Sequence, residues 1–280
     1  MRALLYLPVL LCVAACGENQ THPDRAVYDA GPPAALPCVP NLDGQIDRSE
    51  LGAAIGVPAR YLVSPSGQER PVNLVGTTDA DGHRVWDWST DFASDQAATL
   101  TASAPGGKWY ADHFPGAQFV SPFDPGDTVE AIYSEDDSAI YLLGLASTNP
   151  NPPEGQTLYA YDAPVPFLRF PIQPGKTWKS VGTTKNQMLR GIPYAGTDTY
   201  EVSVDAAGQM VLPDVTFTQA MRVRTKLTIE ATVGVTTSQF QTSYFFECFG
   251  EVARATSKTN ETNPDFTTAI EIRRLGLPTR

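Results

Sequence analysis

The chain has 280 residues, enough for one large domain or two small ones. Its 31 acidic residues against 20 basic ones give a net charge of −11, which argues against nucleic acid and against electrostatic binding to anionic head groups. Only 18% of residues are charged, and past the first stretch no apolar run is long enough to cross a bilayer.

The first stretch reads MRALLYLPVLLCVAACGE. Arg2 supplies a short positive region, and residues 3–15 form an apolar run of signal-peptide size. The run closes on Val13-Ala14-Ala15-Cys16, small residues and then a cysteine, and so resembles a bacterial lipobox. That resemblance implies cleavage after residue 15, a diacylglycerol thioether on Cys16 and acylation of the new amino terminus, by palmitate or a similar chain. Two or more chains suffice for stable anchoring. Gly17 after the cysteine favours the outer membrane by analogy with enteric bacteria. Residues 17–37 are polar and rich in Pro, Ala and Gly, and predict a flexible tether of about 21 residues spanning roughly 25 Å as a coil.

The body begins at Cys38. Cys12 leaves with the signal and Cys16 takes lipid, so Cys38 and Cys248 remain as an even pair in an oxidising compartment. They predict a disulfide across about 210 residues, which the chain-entropy model credits with roughly 5 kcal/mol. Residues 38–51, CVPNLDGQIDRSEL, resemble an EF-hand loop with Gly44 at the sixth position. Asn41, Asp43, Gln45 (through its carbonyl), Asp47 and Glu50 then fall on ligand positions, which implies calcium. Val39 stands where an aspartate is usual, and Pro40 stiffens the start. The competing expectation is an Asp-Gly turn capped by Ser49 or Asp47 before a helical turn over 49–54.

From there the pattern is β. Strands are predicted over 60–63, 72–77, 84–88, 118–120, 128–134, 138–146, 158–161, 167–170 and 199–205, separated by turn residues such as Asp81-Gly82 and Pro174-Gly175. Thr77-Thr78-Asp79-Ala80-Asp81-Gly82 reads as a hairpin turn. Trp86 and Trp88 share a strand face and, with Trp109, offer an aromatic platform for sugar or lipid, or else a buried core. His83 and His113 bring no nucleophile or metal motif with them, so no catalytic set is expected and the chain reads as a non-enzyme. Asn149-Pro150-Asn151-Pro152-Pro153 is a sub-boundary or a long loop. The clearest strand is 221–233. Met221, Val223, Leu227, Ile229, Ala231 and Val233 alternate with polar residues, as on a half-buried antiparallel strand. Its expected partner, 238–249, carries Phe240, Tyr244, Phe246 and Cys248 on one face and Phe245 and Phe249 on the other, so both faces are expected to be covered. Strands over 250–257 and 266–275 follow, and a helical turn is expected at 216–220.

The phrases CVPNLDGQI, VWDWS, FPGAQFVSP, AIYLLGLAS, YDAPV with FPIQPGKTW, YEVSVDAAGQMVLPDVTF and YFFECFGEVA resemble uncharacterised lipoproteins of myxobacteria and related delta-proteobacteria, over most of 38–275. The family implies no assigned activity. The Pro171-x-x-x-Gly175-x-x-Trp178 phrase is similar to curved-sheet envelope proteins, which implies an open half-barrel with an apolar concave face. Together these predict an all-β body over 38–280, a large curved antiparallel sheet (half-barrel or meander) with few short helical turns. The expected role is an envelope lipoprotein with a binding or scaffolding domain that holds a lipid or acyl chain on its concave face. The alternative is a surface protein binding glycan through Trp86 and Trp88, or calcium. Neither the ligand nor the oligomeric state is legible.

Overall fold

The computed structural model describes residues 38–51 and 55–276. The expected signal, Cys16 and the tether lie outside the described residues. Within them, no helix is long and apolar enough to cross a membrane.

The body is one large antiparallel sheet. Its strands are β1 (Pro58–Val63), β5 (Gln96–Thr101), β6 (Phe119–Pro122), β7 (Val129–Glu135), β8 (Ala139–Ser147), β9 (Leu158–Arg169), β10 (Thr177–Leu189), β11 (Ile192–Val211), β12 (Thr216–Ala231), β13 (Thr237–Phe246), β14 (Gly250–Thr256) and β16 (Glu271–Leu275). They are hydrogen-bonded in the order β5-β1-β16-β14-β13-β12-β11-β10-β9-β8-β7-β6. The two end strands nearly meet. Ser103, just past β5, exchanges both backbone hydrogen bonds with Val120 of β6, each 2.9 Å long. The sheet is therefore nearly closed on itself, which leaves little open edge to template wrong pairing. Residues 149–153 join β8 to β9, which pair within this same sheet.

The inner face is apolar at one end. Val202 and Val204 of β11, Met221 and Val223 of β12 and Phe245 of β13 pack against Ala131, Ile140, Leu142 and Leu168 from the opposite wall. This end is plugged by the chain start. Ile46 bridges Ile172, α1 (Arg48–Leu51) follows, and both Ile46 and Leu51 enter the inner core. The expected disulfide is present: Cys38 is bonded to Cys248, so the plug is tied to the turn after β13.

Two outer patches are also buried. Val120, Ile132, Leu143 and Ala146 on the outside of β6 to β8 are covered by Tyr110 and Phe114, beside a 3-10 turn at Ala111–His113. The larger patch holds Met210, Phe217, Tyr244, Phe246, Ala253 and Ile272. Over it lies a strap containing β2 (Arg70–Pro71), β3 (Thr77–Thr78) and β4 (Arg84–Asp87), with β15 (Thr268–Ala269) paired to β2. β4 runs parallel to the end of β11, with Trp86 opposite Met210. The close approach needs Gly208, because a Cβ there would lie 2.4 Å from the Arg84 carbonyl oxygen.

Three expectations about elements need correction. Of residues 72–77 only Thr77 lies in a strand, at the start of β3, because the Asn73 side chain accepts the Gly76 N–H at 2.9 Å and bends the chain before it. Residues 216–220 begin β12 instead of forming a helical turn. Buried Phe217 between exposed Thr216 and Thr218 has a period of two, and it pairs with Met210. The expected strand over 266–275 is broken into β15 and β16.

Candidate functional site

Across the sheet, register decides which side chains look inward. Val202 is opposite Thr225, Thr225 opposite Gln241, Gln241 opposite Thr256, and Thr256 opposite Glu271. One row further, Tyr200 faces Leu227, which faces Gln239. These inward residues are not equally covered. Beside the plug they are buried, whereas Leu227, Ile229, Gln239, Gln241, Thr256 and Glu271 are all half-buried. The inner face is therefore filled by its own side chains at the disulfide end and reachable at the other.

Between the filled floor and this reachable rim, the inner face has two characters. On the β13, β14 and β16 side it is polar and charged. Arg254 is 2.7 Å from Glu251, and Arg273 is 2.6 Å from Glu271. Arg254 and Arg273 are directly opposite each other, so the two carboxylates offset two adjacent cations. Arg273 also donates to the Phe123 carbonyl at 2.9 Å and so spans the gap where the sheet ends meet. On the other side the wall is apolar and aromatic. Phe119 stacks on Tyr133 at 5.2 Å, Tyr133 meets Phe167 at 6.2 Å, and Phe167 meets Tyr200 edge-on at 6.2 Å. Burial pushes the Tyr133 hydroxyl up to about 12, while Arg254 and Arg273 pull it back, so it stays a neutral hydrogen-bonding group.

Between β9 and β10 the ladder is reduced to one pair, Leu158 with Met188. Pro164 and Pro166 of β9 have no N–H to give. Residues 162–164 are exposed, and β9 pairs past them onto β8 with a register shift. Side chains close the seam instead. Ser180 Oγ donates to the Pro166 carbonyl at 2.7 Å, and Thr184 Oγ1 donates to the Ala160 carbonyl at 3.0 Å. Behind the seam sits Asp198, 5% exposed. Its Oδ2 accepts the hydroxyls of Tyr159 at 2.8 Å and Tyr161 at 2.6 Å, and the Tyr161 oxygen lies 2.8 Å from that of Tyr200. Burial raises the Asp198 carboxyl above the ordinary aspartate range, while the two tyrosine hydrogen bonds draw it partly back. Tyr161 fits only because β10 has Gly182 there: a Cβ would meet its ring at 2.5 Å.

The residues singled out in the sequence fare differently. Trp86 is fully buried and Trp88 nearly so. Their indole N–H groups donate to the Leu74 and Asn73 carbonyls, at 3.0 and 3.3 Å, and both rings meet Tyr244 edge-on. They are core under the strap and present no platform for glycan or lipid. Of the calcium candidates, Asn41 and Glu50 do come together, but as a hydrogen bond from the Asn41 amide to Glu50 Oε1 at 2.6 Å. Glu50 Oε2 accepts the Asp47 N–H at 2.9 Å, as a capping glutamate does. Asp43 accepts the Gln45 N–H, and Asn41 Oδ1 accepts the Asp43 N–H. Glu247 Oε2 takes the N–H groups of Asn41 and Leu42, which were not foreseen as its partners. The loop thus fits a capped turn better than an oxygen cradle. Among the described residues the group of three metal-type side chains is elsewhere, at exposed Asp79, Asp81 and His83.

Comparison with family models, with curated proteins and with solved structures finds no match. The Asp198 cluster and the seam escaped the sequence because the tyrosines come from β9 and β11, and their convergence depends on register.

Proposed function

We propose that this chain is an exported, lipid-anchored envelope protein whose β-domain binds without catalysis, taking an amphipathic lipid or acyl chain into the open end of its inner face. The observation that carries this is the gradient along the inner face, from a filled floor at the plug to half-buried, two-sided walls at the far end. Leu227, Ile229 and the half-buried Tyr133 and Phe167 of the aromatic wall supply apolar area, worth about 25 cal/mol per Å² covered. Gln239, Gln241 and Arg254 supply partners for a polar head. The lipobox-like Val13-Ala14-Ala15-Cys16, and the resemblance to myxobacterial lipoproteins, support the membrane address, with the outer membrane as the expected one.

Native mass spectrometry of mature protein purified without detergent tests the ligand. A lipid-sized adduct that Leu227→Arg removes supports it. Bare protein that takes up no added fatty acid or phospholipid refutes it. Membrane partitioning of Cys16→Ser tests the anchor separately, and unchanged partitioning would refute it.

A further inference from the structure

Two buried oxygens in the cluster behind the β9–β10 seam have no hydrogen-bond partner. They are Asp198 Oδ1 and the Tyr194 hydroxyl. Each such group costs about 1–3 kcal/mol when it is left unpaired, and a native structure that holds two together calls for an occupant. The Tyr194 ring lies 5.4 Å from that of Tyr159, and the Tyr159 and Tyr161 rings meet edge-on at 5.3 Å. The rings pack on one another, edge to face in one pair and tilted in the other, which leaves little open face for an ammonium ion to stack on. The oxygens are what remains free to bind.

We propose that Asp198, Tyr159 and Tyr161, with Tyr194 and Tyr200 around them, form a site for a hard trivalent cation of the ferric class. The donor set is all oxygen: one carboxylate and up to four phenols, with no sulfur or imidazole among them, so it selects against soft metals. The oxygens already converge: the Tyr159 and Tyr161 hydroxyls lie 2.8 and 2.6 Å from Asp198 Oδ2, and the Tyr161 oxygen 2.8 Å from that of Tyr200. Charge sets the valence. The site is buried, so the ion needs to be neutralised by its own ligands. The Asp198 carboxylate and the phenolates of Tyr159 and Tyr161 supply three negative charges. A divalent ion does not need the phenols to ionise, whereas a trivalent one does. Binding releases the proton of each of the two phenols to solvent, and one more where Asp198 is protonated, with no change in oxidation state. Tyr200 then acts as a positioning residue through its contact with the Tyr161 oxygen. Access is through the seam, where Tyr161 and Tyr194 are half-buried and the β9 bulge is exposed. The site adjoins the lipid proposal, since Tyr200 belongs to the aromatic wall and Asp198 is opposite Ile229, but it needs neither the anchor nor a bound lipid.

The test is titration of the mature protein with ferric nitrilotriacetate at neutral pH, with gallium(III) in parallel as a redox-inert probe. One ferric ion per chain is expected to give a visible phenolate-to-iron charge-transfer band, and gallium a tyrosinate difference spectrum. Tyr161→Phe, which removes one oxygen and keeps the ring, is expected to abolish the band. Tyr200→Phe is expected to weaken binding roughly 10- to 100-fold while keeping it. Circular dichroism checks that each variant is folded, and Tyr141→Phe, in β8 with its hydroxyl on Asp136 outside the cluster, serves as the unaffected control. No band in the wild-type protein overturns the proposal and leaves the two free oxygens to water. A band that survives both Tyr161→Phe and Asp198→Asn also overturns it, because the phenolate that gives the band then binds the metal without these two ligands. A calcium-induced rise in melting temperature without a tyrosinate signal overturns the trivalent assignment.

Discussion

Single residues take their roles from what covers them. The pairing of Trp86 and Trp88 on one strand face was legible, but the identity of the covering layer was not, because Tyr244 arrives from a strand more than 150 positions later. Trp86→Ala removes a fully buried indole and its bond to Leu74. It is expected to cost about 3–5 kcal/mol, read as a lower denaturation midpoint. If Trp86 were a platform residue the midpoint would hardly move. Arg222 was equally illegible. It alternates as a solvent-facing residue of 221–233, yet it is 7% exposed, paired with Asp205 at 2.7 Å and set over the Trp86 ring. Periodicity marks a face as polar but cannot show that a strap will cover it. Asp136, in the exposed turn between β7 and β8, gives a pH test. Its carboxylate accepts Ser138 Oγ at 2.7 Å, the Ser138 N–H at 2.8 Å and the Ala139 N–H at 3.1 Å, which hold it down to about 2. A depressed carboxylate stabilises the fold above its unfolded value and loses that contribution as pH falls through the folded one. The melting-temperature gap between wild type and Asp136→Asn should therefore be widest above pH ~4 and close as pH falls to about 2. A gap that widens on acidification would contradict the assignment.

At the scale of elements, the long strands were legible where one face is apolar throughout. β12 and β13 appear with the faces expected, Met221 and Val223 inward and Tyr244 and Phe246 outward. β10 was missed altogether. After Trp178 its inward residues are Ser180, Gly182 and Thr184, kept small where the Tyr161 ring and the Ala160 carbonyl come close, so no apolar alternation betrays it. β5 was missed because Gln96-Ala97-Ala98-Thr99-Leu100-Thr101 is an end strand with few large side chains. The seam between β9 and β10 has a dynamic consequence. Strand amides without ladder partners exchange through small local openings rather than global ones. Amides of β9 around 165–169 on the β10 side, and those of β10 around 177–184 facing β9, should exchange faster than the β11–β12 ladder. Ser180→Ala should speed them further, because its hydroxyl makes one of the few side-chain bonds bridging that stretch. Uniform protection across both seams, measured by hydrogen exchange, would show that backbone pairing closes the gap in solution.

The whole molecule depends on joining distant parts of the chain. β1 pairs with β16, Tyr61 opposite Leu275, and the plug reaches the turn after β13 through Cys38 and Cys248. That the body is a large antiparallel sheet was legible from its alternating strands and turns, and its curvature was implied by the resemblance to curved-sheet envelope proteins. Its near closure was not, because it rests on the Ser103 to Val120 bridge and on which distant strands become neighbours. β16 is small, yet it performs three tasks. It joins β1 and β5 to β14, it places Arg273 across the gap between the sheet ends, and it sends buried Arg274 into the strap, where the guanidinium donates to the Trp88 carbonyl at 2.8 Å and to Asp95. Ending the chain at Ile270 removes all three at once. It leaves β14 as a raw edge, and the Trp88 and Thr90 carbonyls and Asp95 without the cation they share. Were the strands locally autonomous, such a truncation would trim the sheet and spare the rest. Because closure is long-range, the expected result is loss of the whole cooperative unit, with protease cutting throughout 38–270 and near-UV dichroism lost. A truncated protein that stays protease-resistant with native dichroism would show that the remaining sheet stands without β16.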